Sequence, residues 1–237
     1  MPDTATVVLT GPDNIPVTLF GVGTVRLNTP NGGTPADFTL GSGGGGSAVL
    51  NSILDGSATR ITRADLSGLT AFRDYAFYQA ENLEQIGIPD TVTDIGAYAF
   101  YGCTALEWLL SSTGEKANEL TSVETVGVHA FEGCTSFECD IYLPAVVTIG
   151  EKAFANNPVG LSFAVGPYCT SIGSKAFENA GFQYFAIEAT TPPTLTAADI
   201  FNTDTLEQIE VPHGYLSVYQ NAQYWSAYAS LMIEDSQ

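Results

Sequence analysis

One dipeptide works as a ruler along this chain. Ala-Phe recurs at Ala76-Phe77, Ala99-Phe100, Ala130-Phe131, Ala153-Phe154 and Ala176-Phe177. Successive phenylalanines stand 23, 31, 23 and 23 residues apart, and a degenerate sixth copy places Phe201 a further 24 residues on. The neighbours keep phase: Ile95-Gly96, Val126-Gly127, Ile149-Gly150 and Ile172-Gly173 each precede their phenylalanine by five and four residues. A unit this short cannot bury its own apolar face. It does so only by stacking on copies of itself, so the repeat predicts a solenoid. The 31-residue interval carries an insertion of 8.

Within a unit the chain reads as one turn of a coil. Phe137, Cys139, Ile141 and Leu143 alternate with period two, which suits a short strand with one buried face, and Pro144 ends its ladder. Leu161, Phe163, Val165 and then Pro167 repeat the pattern. The Ile-Gly-x-x-Ala-Phe segment predicts a turn leading into a short helical or 3₁₀ turn, with Ala and Phe stacked inside the coil. The expected class is an α/β solenoid that is β-rich, with short strands joined by short helical or 3₁₀ turns.

The residues carry a family resemblance. Ile95-Gly96-Ala97-Tyr98-Ala99-Phe100-Tyr101-Gly102-Cys103-Thr104-Ala105-Leu106 resembles the repeat of BspA-type leucine-rich repeat proteins, Ile-Gly-x-x-Ala-Phe-x-x-Cys-x-x-Leu. Ile209-Glu210-Val211-Pro212, followed by Tyr219 and Trp225-Ser226-Ala227-Tyr228, is similar to the terminal unit of many such proteins. The resemblance spans about residues 60 to 233. It implies an α/β leucine-rich-repeat solenoid, usually displayed on bacterial or protist surfaces and used in adhesion or protein binding.

A solenoid exposes its core at both ends and needs caps. Tyr215, Tyr219, Ala222, Trp225, Ala229 and Met232 fall on one face at helical spacing, predicting an amphipathic C-terminal capping helix. At the other end, Thr6 to Leu9, Pro16 to Phe20 and Thr24 to Leu27 read as short strands outside the repeat register. The run Gly41-Ser42-Gly43-Gly44-Gly45-Gly46-Ser47 reads as a linker. The predicted organisation is residues 1–46 as a β cap or partial module with its linker, 47–233 as the solenoid with its terminal cap, and 234–237 as a tail. Ile61 to Leu66 begins the solenoid as an imperfect unit.

Composition narrows the partners. The 26 acidic against 7 basic residues give a formal charge of −19. Such a surface repels phosphate backbones and anionic headgroups, so nucleic acid is excluded as a partner class and cationic or neutral partners remain. No apolar run reaches membrane-spanning length, so no direct insertion is expected, and Met1-Pro2-Asp3-Thr4 does not open a signal peptide. The resemblance implies an extracellular or cell-surface location, with virion-associated or cytoplasmic display as the alternative.

The chemistry-bearing residues give no catalytic pattern. His129 and His213 have no Cys, Asp or Glu at a spacing that suggests zinc or a catalytic pair. His129 shares its register with Tyr75, Tyr98, Lys152 and Lys175, a mixture that reads as exposed. Cys103, Cys134, Cys139 and Cys169 form no Cys-x-x-Cys motif. Cys103 and Cys134 share a register, which predicts neighbouring buried thiols rather than a disulfide. The glycine-rich run lacks the ending of a P-loop, and Gly21-Val22-Gly23-Thr24-Val25-Arg26 lacks the third glycine of a dinucleotide fingerprint. No cofactor, no metal and no catalytic residue is expected.

Two departures from uniformity remain. Tyr75 and Tyr98 occupy one register, and Tyr78 and Tyr101 another three residues on, so the first two full units carry stacked tyrosines, a residue enriched in recognition surfaces. The insertion near Trp108 to Leu120, containing Ser111-Ser112-Thr113-Gly114-Glu115-Lys116, is expected to emerge as a loop on one face. The candidate ligand-binding residues are therefore Tyr75, Tyr78, Tyr98, Tyr101 and Trp108. The expected function is a non-enzymatic protein- or glycan-binding module, with a structural spacer or display module of a cell-surface or phage-borne assembly as the alternative.

Overall fold

The computed structural model describes residues 9–10, 16–20, 24–27, 36–39, 59–61, 66, 69–110, 115–117, 119–157 and 162–236. The repeats form a β-solenoid of about seven turns. One wall is a parallel sheet of two-residue strands: Ala71–Phe72, Asp94–Ile95, Thr125–Val126, Thr148–Ile149, Ser171–Ile172 and Thr194–Leu195. Register is strict, with Ile95 opposite Val126, Ile149 opposite Ile172 and Ile172 opposite Leu195. Each of these residues points inward, so one strand position per coil is enough to fix the stack.

A second wall carries Ile141–Leu143, Ser162–Val165, Tyr184–Ile187, Gln208–Val211 and Met232–Glu234, all parallel. Its predecessor in the first coils, Arg60–Ile61, Gln85–Ile86 and Trp108–Leu110, is a separate sheet. The insertion divides them. Lys116–Ala117 returns antiparallel onto Leu109 and Leu110, taking the edge where the next coil would pair. The chain then leaves through Glu119, which bridges to Tyr142. The next coil reaches the interrupted strand through sulfur: the Leu109 amide donates to Cys139 Sγ at 3.4 Å. The alternating pattern from Phe137 consequently becomes strand only at Ile141–Leu143.

The Ile-Gly-x-x-Ala-Phe segment is a turn, and it does not continue into a helix. Tyr75, Tyr98, His129, Lys152 and Lys175, all two residues before a core phenylalanine, have φ between 53° and 62°. A left-handed residue at that point breaks helical propagation. It also aims alternate amides along the solenoid axis. Phe77, Phe100, Phe131 and Phe154 donate to the carbonyls of Ala99, Ala130, Ala153 and Ala176 in the next coil, at 2.6 to 2.8 Å. Coils are thus hydrogen-bonded at the turns as well as at the strands, which satisfies backbone groups that a loop would leave bare.

Inside, Phe77, Phe100, Phe131, Phe154, Phe177 and Phe201 stack at centroid spacings of 4.9 to 5.9 Å with planes within 13°. The Gly shared by four copies of the motif, Gly96, Gly127, Gly150 and Gly173, makes that spacing possible. A Cβ on Gly150 would lie 2.6 Å from the Gly127 carbonyl carbon and 2.6 Å from the Val128 nitrogen. The same holds along the column, so these glycines are required by close backbone approach.

The C-terminal cap is helical, in two pieces. Leu216–Asn221 is a single α-turn and a half, Tyr224 turns left-handed at φ 64°, and Trp225–Leu231 is a 3₁₀ helix. Met232 belongs to the last strand. Tyr219, Trp225 and Tyr228 are buried over the end of the phenylalanine column, with the Tyr228 ring edge-on to Phe201 at 5.1 Å. Their polar ends are all used: Trp225 Nε1 donates to the Pro193 carbonyl, Tyr219 to Ala189 and Tyr228 to Ala198. Tyr215, expected on the same face, is exposed, because it is the non-helical N-cap of Leu216–Asn221 and lies outside the helical register.

The amino-terminal strands, Leu9–Thr10, Pro16–Phe20, Thr24–Leu27 and Ala36–Thr39, form an antiparallel sheet in chain order. The glycine-rich run at 41–47 and most of the imperfect first unit lie outside the described residues. Ile61 and Leu66 are buried in the core.

Candidate functional site

The left-handed turn position places one side chain per coil on a common line. Reading along the axis it is Tyr75, Tyr98, His129, Lys152, Lys175. Three residues on, the line is Tyr78, Tyr101, Glu132, Ala155, Glu178. All four expected tyrosines come together. Tyr75 and Tyr98 stack at 4.9 Å with planes 2° apart, and Tyr78 and Tyr101 at 5.2 Å and 9°. The two pairs meet across the coil at 5.4 and 5.5 Å, tilted by 58° and 55°. Each ring is half-buried by its neighbours.

His129 departs from the sequence reading, which gave it an exposed position and no acidic partner. It is half-buried, stacked on Tyr98 at 4.6 Å and 14°, and its Nδ1 pairs with Glu132 Oε2. The left-handed turn folds position i onto i+3, so the histidine and the glutamate of the next column meet. Glu132 is buried and also accepts from Asn156 Nδ2 at 3.1 Å. Asn156 in turn accepts from Asn179 Nδ2 at 2.9 Å, which makes a short amide ladder beside the aromatic columns.

The face changes character along its length. Beyond His129, Lys175 Nζ lies 2.8 Å and Lys152 Nζ 3.6 Å from the Glu178 carboxylate. The hydrogen bond with Glu178 raises the Lys175 pKa, and the same bond lowers that of Glu178. The far half is ionic and internally paired, while the near half is aromatic. Burial raises the Tyr98 phenol above its ordinary value, and Tyr75, Glu132, Tyr101 and Tyr78 add to the shift by charge repulsion.

Hydroxyl use separates Tyr75, Tyr98 and Tyr101 from Tyr142, Tyr219 and Tyr228, though the exposed Tyr168, Tyr184, Tyr215 and Tyr224 resemble the former. Tyr142 donates to Glu188 at 2.8 Å, and Tyr219 and Tyr228 donate to backbone carbonyls. Among the described residues, the hydroxyls of Tyr75, Tyr98 and Tyr101 have no protein hydrogen-bond partner.

Trp108 lies apart from the columns, in the sheet interrupted by the insertion. It is half-buried, and Lys116 Nζ sits 2.8 Å from its ring centroid, so the insertion covers this indole with its own cation. Residues 111–114 of the insertion lie outside the described residues.

The thiols are free and follow the predicted column. Cys103 Sγ donates to the Phe77 carbonyl at 3.0 Å and Cys134 Sγ to Phe100 at 3.2 Å, each one coil back. Burial pushes Cys103 and Cys169 up to about 12 and Cys134 well above its ordinary value. Such thiols are poor nucleophiles. His213 Nδ1 lies 3.5 Å from Glu234, a second pairing that sequence distance concealed. Among the described residues there is no group of three or more His, Cys, Asp or Glu side chains arranged for a metal, and no helix long and apolar enough to cross a membrane.

Stacked strands, a phenylalanine column and side-chain columns displayed from left-handed turns define a leucine-rich-repeat solenoid. The chain belongs to the BspA-type leucine-rich repeat family, whose model, the BspA type leucine rich repeat region, matches in six copies over residues 70–193 and 111–230. No curated protein matches it. Among solved structures it is similar to a leucine-rich cell surface protein from Faecalibacterium prausnitzii A2-165, at 18% identity, 77% of this chain, 56% of that one and a TM-score of 0.33. A leucine-rich repeat protein from Bacteroides ovatus ATCC 8483 is similar at 16% identity, 88% of this chain, 71% of that one and a TM-score of 0.37. The chain spans a little over half the length of the Faecalibacterium protein.

Proposed function

We propose that this chain is a non-enzymatic recognition module of a cell surface, and that its binding face is the tyrosine half of the turn columns. One observation carries the reading: four tyrosines are gathered at 4.9 to 5.5 Å on an accessible face, with the hydroxyls of Tyr75, Tyr98 and Tyr101 unused by the fold. Tyrosine offers large amphipathic area at low entropy cost, and the stacking lowers that cost further by fixing the rings before a partner arrives. Membership of a family of surface leucine-rich proteins supports the location. The partner class is protein or glycan.

A glycan array and a surface-protein pull-down, run with the wild type and with Tyr75/Tyr78/Tyr98/Tyr101→Ala at matched circular dichroism, test the reading. The expected result is a ligand retained by the wild type and lost by the variant. A ligand bound equally by both removes the tyrosine face from the proposal, and no ligand for either returns the chain to the role of a rigid spacer.

A further inference from the structure

We infer that a second site, independent of the tyrosine face, takes the N-acetyl group of an amino sugar. The rings of Phe137, Phe154, Phe163 and Phe182 wall a cavity of about 20 Å³. Asn157 lines it at 5% exposure, and neither its Nδ2 nor its Oδ1 has a hydrogen-bond partner. Buried amides are nearly always satisfied, so an orphaned donor and acceptor side by side in a cavity mark a place for a group that brings both. The fold does not need asparagine at this point. In the same register Cys103 and Cys134 are buried, and their thiols donate to the Phe77 and Phe100 carbonyls one coil back. Asn157 forgoes that bond, and the small side chain of Ala180 in the next coil leaves the space beside it unfilled.

The occupant follows from size and chemistry. The cavity exceeds what one water needs and falls well short of a sugar ring, so only a small substituent enters. Aromatic walls suit a methyl group. The primary amide suits a secondary amide, whose C=O would accept from Nδ2 and whose N–H would donate to Oδ1. An acetamido group supplies both parts. The rim decides what carries it. Cys139 and Ser162 are half-exposed at the mouth, and the Ser162 amide donates to Asp140 Oδ1 at 2.9 Å. A hydroxyl and a carboxylate placed there suit the ring hydroxyls of a sugar, whereas the aliphatic stem of an acetylated lysine would cover the same groups without pairing them.

Saturation-transfer NMR of the full chain with N-acetylglucosamine, glucose, glucosamine and Nε-acetyl-lysine methylamide tests the inference. N-acetylglucosamine is expected to bind with a Kd on the order of 1 mM and to show its strongest saturation at the acetyl methyl. Asn157→Cys copies the residue that the register carries elsewhere and is expected to weaken binding at least about tenfold. Ala180→Val fills the cavity, leaves the amide in place and is expected to do the same. Equal binding of glucose or glucosamine overturns the inference, because the acetyl group is then not what is read. Binding of the acetyl-lysine compound without N-acetylglucosamine overturns the sugar. Binding kept by Asn157→Cys, or lost in Tyr75/Tyr78/Tyr98/Tyr101→Ala instead, overturns the site. No binding of N-acetylglucosamine overturns it as well, and leaves the recognition reading of the tyrosine face standing.

Discussion

Replacing Gly150 by alanine tests whether the solenoid is held at its spacing by backbone contact. The added Cβ would meet the Gly127 carbonyl carbon and Val128 nitrogen at 2.6 Å, about 0.8 Å inside ordinary contact, and both atoms belong to a backbone that cannot rotate away. Relief requires separating two coils joined on either side of the clash. The Gly150 amide donates to Val126 at 2.8 Å and the His129 amide to Glu151 at 2.8 Å. Overpacking costs about 1–3 kcal/mol and each weakened hydrogen bond about 0.5–1.5 kcal/mol, for a total on the order of 3–5 kcal/mol. That corresponds to a melting temperature lower by on the order of 10 °C for a chain of this size. Gly133→Ala is the matched control. Its φ of 76° penalises any side chain, yet the new Cβ would lie 3.8 Å from its nearest neighbour. Only the left-handed penalty applies, about 1–2 kcal/mol. Urea unfolding followed by circular dichroism measures both. Gly150→Ala within about 1 kcal/mol of wild type, or less damaging than Gly133→Ala, would refute the close-approach argument.

Other sites give independent tests. Asn157 is 5% exposed, neither polar atom of its side chain has a partner, and it occupies the register of Cys103 and Cys134. Asn157→Cys removes the orphaned amide and is expected to raise stability by about 1–2 kcal/mol; a lower urea midpoint would contradict this. Phe131→Ala opens the middle of the column between Phe100 and Phe154 and is expected to cost about 3–5 kcal/mol by the same assay, with a cost under about 1 kcal/mol ruling out the column as the core. The buried thiols of Cys103 and Cys169 have folded pKa values raised to about 12, so their contribution is complete below the unfolded value of about 8.5 and is lost as pH rises toward 12. Stability should therefore fall by up to about 1.4 kcal/mol per pH unit per thiol above about pH 8.5, and a Cys103→Ala/Cys169→Ala protein whose alkaline slope matched the wild type would defeat that assignment.

The architecture was legible because its cause is periodic. Phe77, Phe100, Phe131, Phe154, Phe177 and Phe201 recur in sequence for the same reason that they stack in space, and one strict register carries both. The break between the two outer sheets was visible only as an interval of 31. That the insertion would fold back as Lys116–Ala117 onto Leu109 and Leu110, and displace a coil from its edge, depends on pairing that no repeat encodes. The split cap is a similar case. Helical spacing from Tyr215 to Met232 matched a continuous amphipathic face, but a single left-handed residue at Tyr224 converts it into two short helices and a strand.

The candidate face was legible as two registers of tyrosine but misread at its third member. A position that accepts Tyr, His and Lys looks exposed when each residue is weighed against solvent. In a solenoid the same position is weighed against its own copy one coil away, and residues tolerated there are those whose flat or long side chains can lie along the axis. His129 is half-buried for that reason, by Tyr98, and its acidic partner Glu132 sits in the neighbouring column because the left-handed turn brings i and i+3 together. The backbone signal was present in the sequence all along. Gln79, Gly102, Gly133, Asn156 and Asn179 fill the second left-handed position, and four of these five are glycine or asparagine, which tolerate positive φ at least cost. Tyr75, Tyr98, His129, Lys152 and Lys175 fill the first, and of these only histidine is enriched at positive φ. Four coils keep an unfavoured residue type at a left-handed position where glycine would relieve the strain. Contacts along the column must offset that cost: ring stacking through His129 and ion pairing beyond it.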